Sequence, residues 1–303
     1  MQKQIPLKLL CILENWFKLC STCIKWGSVV SRVFSVDCGV RQGGVLSPYL
    51  FALYIDSIVD RVRNSRIGCY LKGLCMSVLL YADDILLIAP SVSSVNKLLH
   101  ICEQELTLLD MAINAKKSAC VRIGSRFRHH CSTVSTLDGR EIRWEESVRY
   151  LGVHITSAKA FACSLANAKK SFYRAFNAVF GKVAGVASEE VTVELLKVKC
   201  LPVLLYGLEA CPISNKQFNL LDFVLKGCFR KIFRTRSAEV VQNCILVFNC
   251  ISMQECVAKC KCKFLANYIK SDNILCYVCQ NIAAHEYVRQ MVTISFSSLY
   301  RSK

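Results

Sequence analysis

At 303 residues the chain can hold one large domain or two small ones around a sizeable core, and its 53% hydrophobic content excludes a disordered polymer. The 39 Lys and Arg against 22 Asp and Glu give a formal charge of +17, which suits an anionic partner such as nucleic acid or an acidic membrane surface. Twenty cysteines invite a secreted disulfide scaffold, but Met1–Phe17 holds only a short apolar core, Leu7–Leu13, broken by Lys8 and closed by Glu14. No uncharged apolar run reaches membrane-spanning length, so reduced thiols in an intracellular chain, nuclear or cytoplasmic, are the expected state.

In chain order, Pro6–Phe17 reads as a helix, with Leu9, Leu10, Leu13, Trp16 and Phe17 on one side. Thr22–Trp26 and Arg32–Val36 predict two strands around Gly27-Ser28. Then comes Gly39-Val40-Arg41-Gln42-Gly43-Gly44-Val45-Leu46-Ser47-Pro48, whose three glycines allow a close backbone approach. Ser47 is a candidate cap for a helix over Tyr49–Arg63, with Phe51, Ile55, Ile58, Val59 and Val62 facing a core. Asp56 and Asp60, one turn apart, fit a solvated face better than a metal pair.

Leu79-Leu80-Tyr81-Ala82-Asp83-Asp84-Ile85-Leu86-Leu87 places two adjacent carboxylates inside an apolar run. The pattern predicts a β-hairpin with both charges at its tip, because carboxylates stay in apolar surroundings only when paired or bound to metal. A helix over Ser94–Ala112 follows, then a polar turn, Ile113–Ser118, and a strand, Ala119–Ile123. Asp138-Gly139 predicts a hairpin, and Arg149–Ile155 one further strand. This order is α+β with an antiparallel sheet.

From about residue 158 the pattern becomes helical. Phe161–Phe180 predicts a helix stopped by Gly181. Ser188 with Glu189 and Glu190 opens another, running to about Cys200, ahead of Pro202. Asn215–Arg234 is a third, with a basic last turn. Beyond Ser237 the pattern is less legible. Cys260, Cys262, Cys276 and Cys279 invite a zinc site, but one intervening residue in the first pair is short for zinc, so buried thiols account for them better.

Together these segments resemble the reverse transcriptase of non-LTR (LINE-type) retrotransposons. Gly39–Pro48 is similar to motif B, Tyr81-Ala82-Asp83-Asp84 to motif C, Asn114–Ser118 with the next strand to motif D, and Tyr150-Leu151-Gly152 to motif E, the primer grip. The match covers roughly residues 5–236. It implies a partial polymerase palm over 1–157, an all-helical thumb over 158–236, and a Cys-rich C-terminal region, 237–303, of unassigned fold. It also implies Mg²⁺ as cofactor, with an RNA template, a DNA primer and no membrane as surroundings.

By the same resemblance Asp83 binds metal and Asp84 supports it. Gln42 and Gly43 line the nucleotide and template, Lys117 (or its neighbour Lys116) neutralises the leaving pyrophosphate, and Tyr81 meets the primer end. The family's motif A, which carries a further catalytic Asp on a neighbouring strand, has no counterpart: Glu14 and Asp37 are the only carboxylates before Gly39, and neither has its context. The expectation is therefore a chain lacking motif A and the fingers and inactive alone, unless a partner supplies the missing palm strand in trans. The alternative is a non-catalytic basic protein that binds RNA or DNA.

Overall fold

The computed structural model describes residues 5–36, 39 and 43–299, with side chains to 295. Helix α1 (Leu7–Lys18) leads into β1 (Ser21–Thr22), β2 (Lys25–Trp26), β3 (Val29–Val30) and β4 (Phe34–Ser35). These four pair as one interrupted hairpin, β2 with β3 and β1 with β4, around Gly27. None of the residues of α1 or these strands is buried: Trp26 is 85% exposed and Leu7 77%.

Helix α2 (Ser47–Ser65) buries Ile55, Ile58 and Val62, as the spacing requires. Ser47 is its first residue rather than its cap, and Pro48 occupies the first turn, where its missing N–H costs nothing. After β5 (Tyr70–Leu71) and β6 (Leu74–Cys75) comes the charged hairpin, β7 (Val78–Tyr81) with β8 (Asp84–Leu87). Its pairs run from Val78 opposite Leu87 to Tyr81 opposite Asp84, leaving Ala82 and Asp83 as the turn. Helix α3 (Val92–Leu108) covers it, and Leu98, Cys102 and Leu106 join Ile55, Ile58, Val62 and Val78 in one cluster. Arg61 Nε to Glu105 Oε1 at 2.8 Å ties α2 to α3 beside that core.

The base of the hairpin is fixed by one fully buried hydroxyl. Ser77 Oγ accepts from the Cys69 N–H at 2.9 Å and lies 3.0 Å from the Ile67 carbonyl and 3.2 Å from that of Cys69. Gly68 passes so close that a Cβ there would stand 2.7 Å from Ser77 Cβ, and its φ of +103° suits only glycine. Ile88 N–H then donates to the Ser77 carbonyl at 2.8 Å, closing the hairpin's open end.

Strand β9 (Ala119–Cys120) is shorter than its pattern suggested and lies parallel to β11 (Glu141–Trp144), while β10 (Val134–Ser135) pairs antiparallel with β11 around Asp138-Gly139. The predicted single strand over Arg149–Ile155 is instead a hairpin, β12 (Ser147–Tyr150) with β13 (Val153–Thr156). Leu151 (φ +46°) and Gly152 (φ +83°) form its turn, both in the left-handed region that two-residue hairpins favour. Strand β14 (Ala162–Ser164) adds to β13, so this chain segment is strand before it becomes helix α4 (Ala166–Val183). Helix α4 also runs through Gly181, ending at Ala184-Gly185, where Gly185 supplies the left-handed residue.

Helix α5 (Glu189–Leu195) is capped by Ser188 Oγ and continues through a π-turn, Leu196–Cys200, into α6 (Leu201–Leu205). Pro202 therefore does not end the helix; the wider turn before it accommodates a ring that has no N–H to give. Helix α7 (Asn215–Ile232) opens on a capping box of Ser214 and Gln217. The C-terminal region is α8 (Ala238–Val247), α9 (Met253–Ile269) and α10 (Ile274–Leu299). One hydrophobic cluster runs from Leu165 and Phe172 through Leu221 and Phe229 to Val241, Met253 and Val257, so α8 and α9 share the core of α4–α7. Among the described residues no helix is long and apolar enough to cross a membrane.

Every described cysteine is a free thiol. Burial pushes Cys102, Cys228 and Cys256 up to about 12, so they serve as small core residues.

Ser77→Ala is expected to cost about 1–3 kcal/mol by leaving buried backbone groups without their shared partner. Urea unfolding measures this, with the exposed Ser93→Ala as the control that shifts the midpoint little; equal midpoints for the two variants contradict the assignment.

Candidate active site

The hairpin strands bury their aliphatic side chains against α2 and α3, and this leaves the two carboxylates at the exposed end. Asp83 occupies the turn and Asp84 begins β8, both exposed. Among the described residues neither side chain makes a hydrogen bond or ion pair. Ala82, the other turn residue, sits at φ +51°, a region that costs a residue with a Cβ roughly 1–2 kcal/mol. Leu151 sits there too, so the β7–β8 and β12–β13 turns each hold a non-glycine residue in a sparsely populated conformation. Such outliers persist where the surrounding structure over-determines them and concentrate at functional sites.

Tyr150, the last residue of β12, lies within electrostatic range of Asp84. Burial raises its hydroxyl above the ordinary tyrosine value, and the negative charge of Asp84 raises it further. The next two residues meet the helical part. Tyr206 Oη donates to the Leu151 carbonyl at 3.3 Å, and a Cβ on Gly152 would stand 2.7 Å from Tyr206 Cε1. Gly207 returns the contact, since a Cβ there would lie 2.5 Å from Val153 Cγ2. Glycines at 152 and 207 thus let two turns interlock, one from the sheet and one following α6. Nothing in the sequence joins Tyr206 to this turn, because the partners are 55 residues apart; the Tyr206-Gly207 dipeptide in an apolar break is the only local trace.

The other residues singled out in the sequence are placed separately. Tyr81 is 62% exposed beside the tip. Lys117 stands on an exposed turn after α3, where its N–H donates to the Asn114 carbonyl at 3.1 Å and to Asn114 Oδ1 at 3.2 Å. Buried Ala115 pins this turn, while the ammonium groups of Lys116 and Lys117 face solvent and form no ion pair with Asp83 or Asp84. Gly43 is exposed at φ +79°, and Gln42 lies outside the described residues. Asp60 pairs with Arg63 at 3.4 Å, which suits a solvated helix face.

Two exposed, cation-free carboxylates fit the oxygen chemistry of magnesium, which keeps several waters and is held through one or two carboxylates plus substrate phosphates. Among the described residues no three His, Cys, Asp or Glu side chains converge, at the hairpin or at the C-terminal cysteines.

Residues 3–155, just over half of the chain, match the family model described as reverse transcriptase (RNA-dependent DNA polymerase), and the chain belongs to that family. The relatives it resembles are named as proteins of retrotransposable and mobile elements. It is similar to the retrovirus-related Pol polyprotein from type-1 retrotransposable element R2 of Popillia japonica, 27% identical over 215 residues that cover 68% of this chain and 34% of that protein. It is 25% identical over 224 residues to the RNA-directed DNA polymerase from mobile element jockey of Drosophila melanogaster, covering 69% of this chain and 24% of that one. Transposon TX1 uncharacterized 149 kDa protein of Xenopus laevis is 30% identical over 141 residues, 46% of this chain and 10% of its own length. The chain thus spans about a third of the first relative's length and less of the others.

The Tyr150–Asp84 proximity makes a titration prediction. Asp84→Asn removes a negative neighbour that disfavours the tyrosinate, so the Tyr150 pKa falls, while burial keeps it above the ordinary value of 10.0. Ring-carbon NMR of labelled tyrosine, assigned with Tyr150→Phe, reads this; an unmoved Tyr150 would mean the two groups are not neighbours.

Proposed function

We propose that this chain is the partial palm, thumb and C-terminal helices of a mobile-element RNA-directed DNA polymerase, with nucleotidyl transfer centred on Tyr81-Ala82-Asp83-Asp84. The observation that carries the reading is the exposed Asp83-Asp84 pair at the tip of the β7–β8 hairpin in a chain of the reverse transcriptase family, and the charge of Asp84 acting on Tyr150 supports it.

In this reading Asp83 and Asp84 hold magnesium. Asp83, free in the turn, is the direct ligand, while Asp84, whose backbone is committed to pairing with Tyr81, acts from the side. Asp83 and Asp84 would hold the ion, which when bound would supply positive charge to the attacking 3′-oxygen and to the leaving phosphate oxygen. Tyr81 and the Tyr150-Leu151-Gly152 turn hold the primer end, with Tyr206 fixing the turn from the thumb side. Gln42 and Gly43 contact nucleotide and template, and Lys117 neutralises the departing pyrophosphate. Its backbone is anchored through Asn114 and the turn is pinned by buried Ala115.

Two-metal transfer uses ions about 3.5–4 Å apart, clamped from more than one side. The described residues bring one adjacent pair of carboxylates to the tip and no third. The reading therefore includes inactivity of these 303 residues alone, with a palm strand carrying the further Asp needed to complete the site. Among the described residues β7 and β8 pair only with each other, and their outer edges suit such an addition.

The chain alone is expected to give no primer extension with Mg²⁺ or Mn²⁺ on an RNA template. Extension that Asp83→Ala abolishes would overturn the claim of incompleteness. Salt-sensitive RNA binding unchanged by loss of both Asp83 and Asp84, and with no divalent-metal affinity at the hairpin, would favour the non-catalytic alternative.

A further inference from the structure

Between Asp110 and Asp138 the chain carries five Lys or Arg residues and two His, and no carboxylate. Part of this run is the turn of Lys116 and Lys117. The rest is the loop between β9 and β10, Val121–Thr133, which holds Arg122, Arg126, Arg128, His129 and His130.

The loop is anchored rather than loose. Ser157 Oγ donates to the Arg122 carbonyl at 2.9 Å, and Gly124 N–H donates to the Ala158 carbonyl at 2.9 Å. Ile123 bridges to Ala158 as well. Within the loop, Phe127 N–H donates to Gly124 and His129 N–H to Arg126, at 3.1 and 3.0 Å. Arg122 is used internally: its Nη1 donates to the His129 carbonyl at 3.2 Å and lies 3.0 Å from Cys131 Sγ. Arg126, Arg128, His129 and His130 are left exposed. The Arg128 guanidinium lies 5.2 Å from the centroid of the half-buried Phe127 ring, which holds its plane while its edge donors stay open.

The nearest carboxylates in the pairing scheme are Glu145, whose N–H donates to Cys120, and Glu146, whose carbonyl accepts from Ser157. Both are exposed, and among the described residues neither pairs with a loop arginine. A fold that gathers cations on a fixed loop without neutralising them stores repulsion that a polyanion relieves.

We propose that Arg126 and Arg128, flanked by His129 and His130, form a second nucleic-acid contact that grips the phosphodiester backbone of the template strand without reading its sequence. This rests on the polymerase reading for the identity of the partner. The root of the loop lies at the open end of the β12–β13 hairpin, opposite the Leu151-Gly152 turn, and at roughly 3.3 Å per residue the five residues from Gly152 to Ser157 separate them by about 17 Å. The loop therefore holds strand away from the primer terminus and adds affinity without touching the reacting groups. Nucleic acid is favoured over an acidic peptide because paired guanidinium forks match phosphate oxygens, and the neighbouring donors are all cationic or neutral.

The test is anisotropy of a labelled 20-nucleotide RNA titrated with the 303-residue chain across a potassium chloride series, for wild type and Arg126→Ala/Arg128→Ala. Thermal melts of both establish folding. On about 0.7 per phosphate for a single strand, the slope of log K against log salt is expected to become shallower by about 1.4, with binding roughly 10-fold or more weaker at low salt. An unchanged slope in a folded variant overturns the loop contact and leaves the polymerase reading standing. Absence of salt-dependent RNA binding by the wild type overturns both. Polyglutamate displacing the RNA as well as unlabelled RNA does, at matched charge, would show a general polyanion patch and overturn the assignment to nucleic acid.

Discussion

Two adjacent carboxylates in an apolar hairpin leave the surrounding chain little freedom. The aliphatic residues of β7 and β8 must be covered, and α2 and α3 cover them. The charges must reach water, and a two-residue turn that holds Ala82 in the left-handed region puts them there. The whole unit must be held at its base, and Ser77 does so by drawing three backbone groups from the α2–β5 segment onto one hydroxyl. Hydration of the pair competes with burial of everything next to it, and the hairpin geometry satisfies both.

The Leu151-Gly152 turn is closed by Tyr206 from a segment 55 residues away, and the Tyr150 that leads into it is within electrostatic range of Asp84. A turn built this way is held by packing rather than by loop length. A Cβ at residue 152 would collide with the Tyr206 ring, and one at residue 207 with a Val153 methyl. The continuous core from α4 to α9 supports the helical side of this joint, with Asp222 Oδ1 accepting from Met253 N–H at 3.0 Å to fasten α9 to α7.

Legibility in the sequence followed how local each signal was. Helices α2, α3 and α7 carry their buried stripes in regular spacing, and the Asp83 hairpin and the Asp138-Gly139 turn carry strong turn chemistry, so all were readable. The β12–β13 hairpin was not, because Leu151 is a poor left-handed residue and its turn is enforced by Tyr206 from another layer. Helix α4 passed through Gly181 because its buried Phe172 and Phe176 outweigh the propensity of one glycine. Pro202 misled for a similar reason, the π-turn before it being invisible to periodicity. The C-terminal cysteines obscured three ordinary helices, several of the thiols being core residues there. The place of Asp83 and Asp84 at a hairpin turn was legible in the sequence, whereas the electrostatic reach of Asp84 to Tyr150 and the separate, exposed turn of Lys117 required the fold.

The central claim is that Asp83 and Asp84 form a metal-binding tip with the Tyr150 turn beside it. Its most direct test is paramagnetic relaxation by Mn²⁺ in a tyrosine-labelled chain. The account predicts selective broadening of Tyr81 and Tyr150 that Asp83→Asn abolishes. Broadening that is uniform across the tyrosines, or that persists when both aspartates are replaced by asparagine, would contradict it.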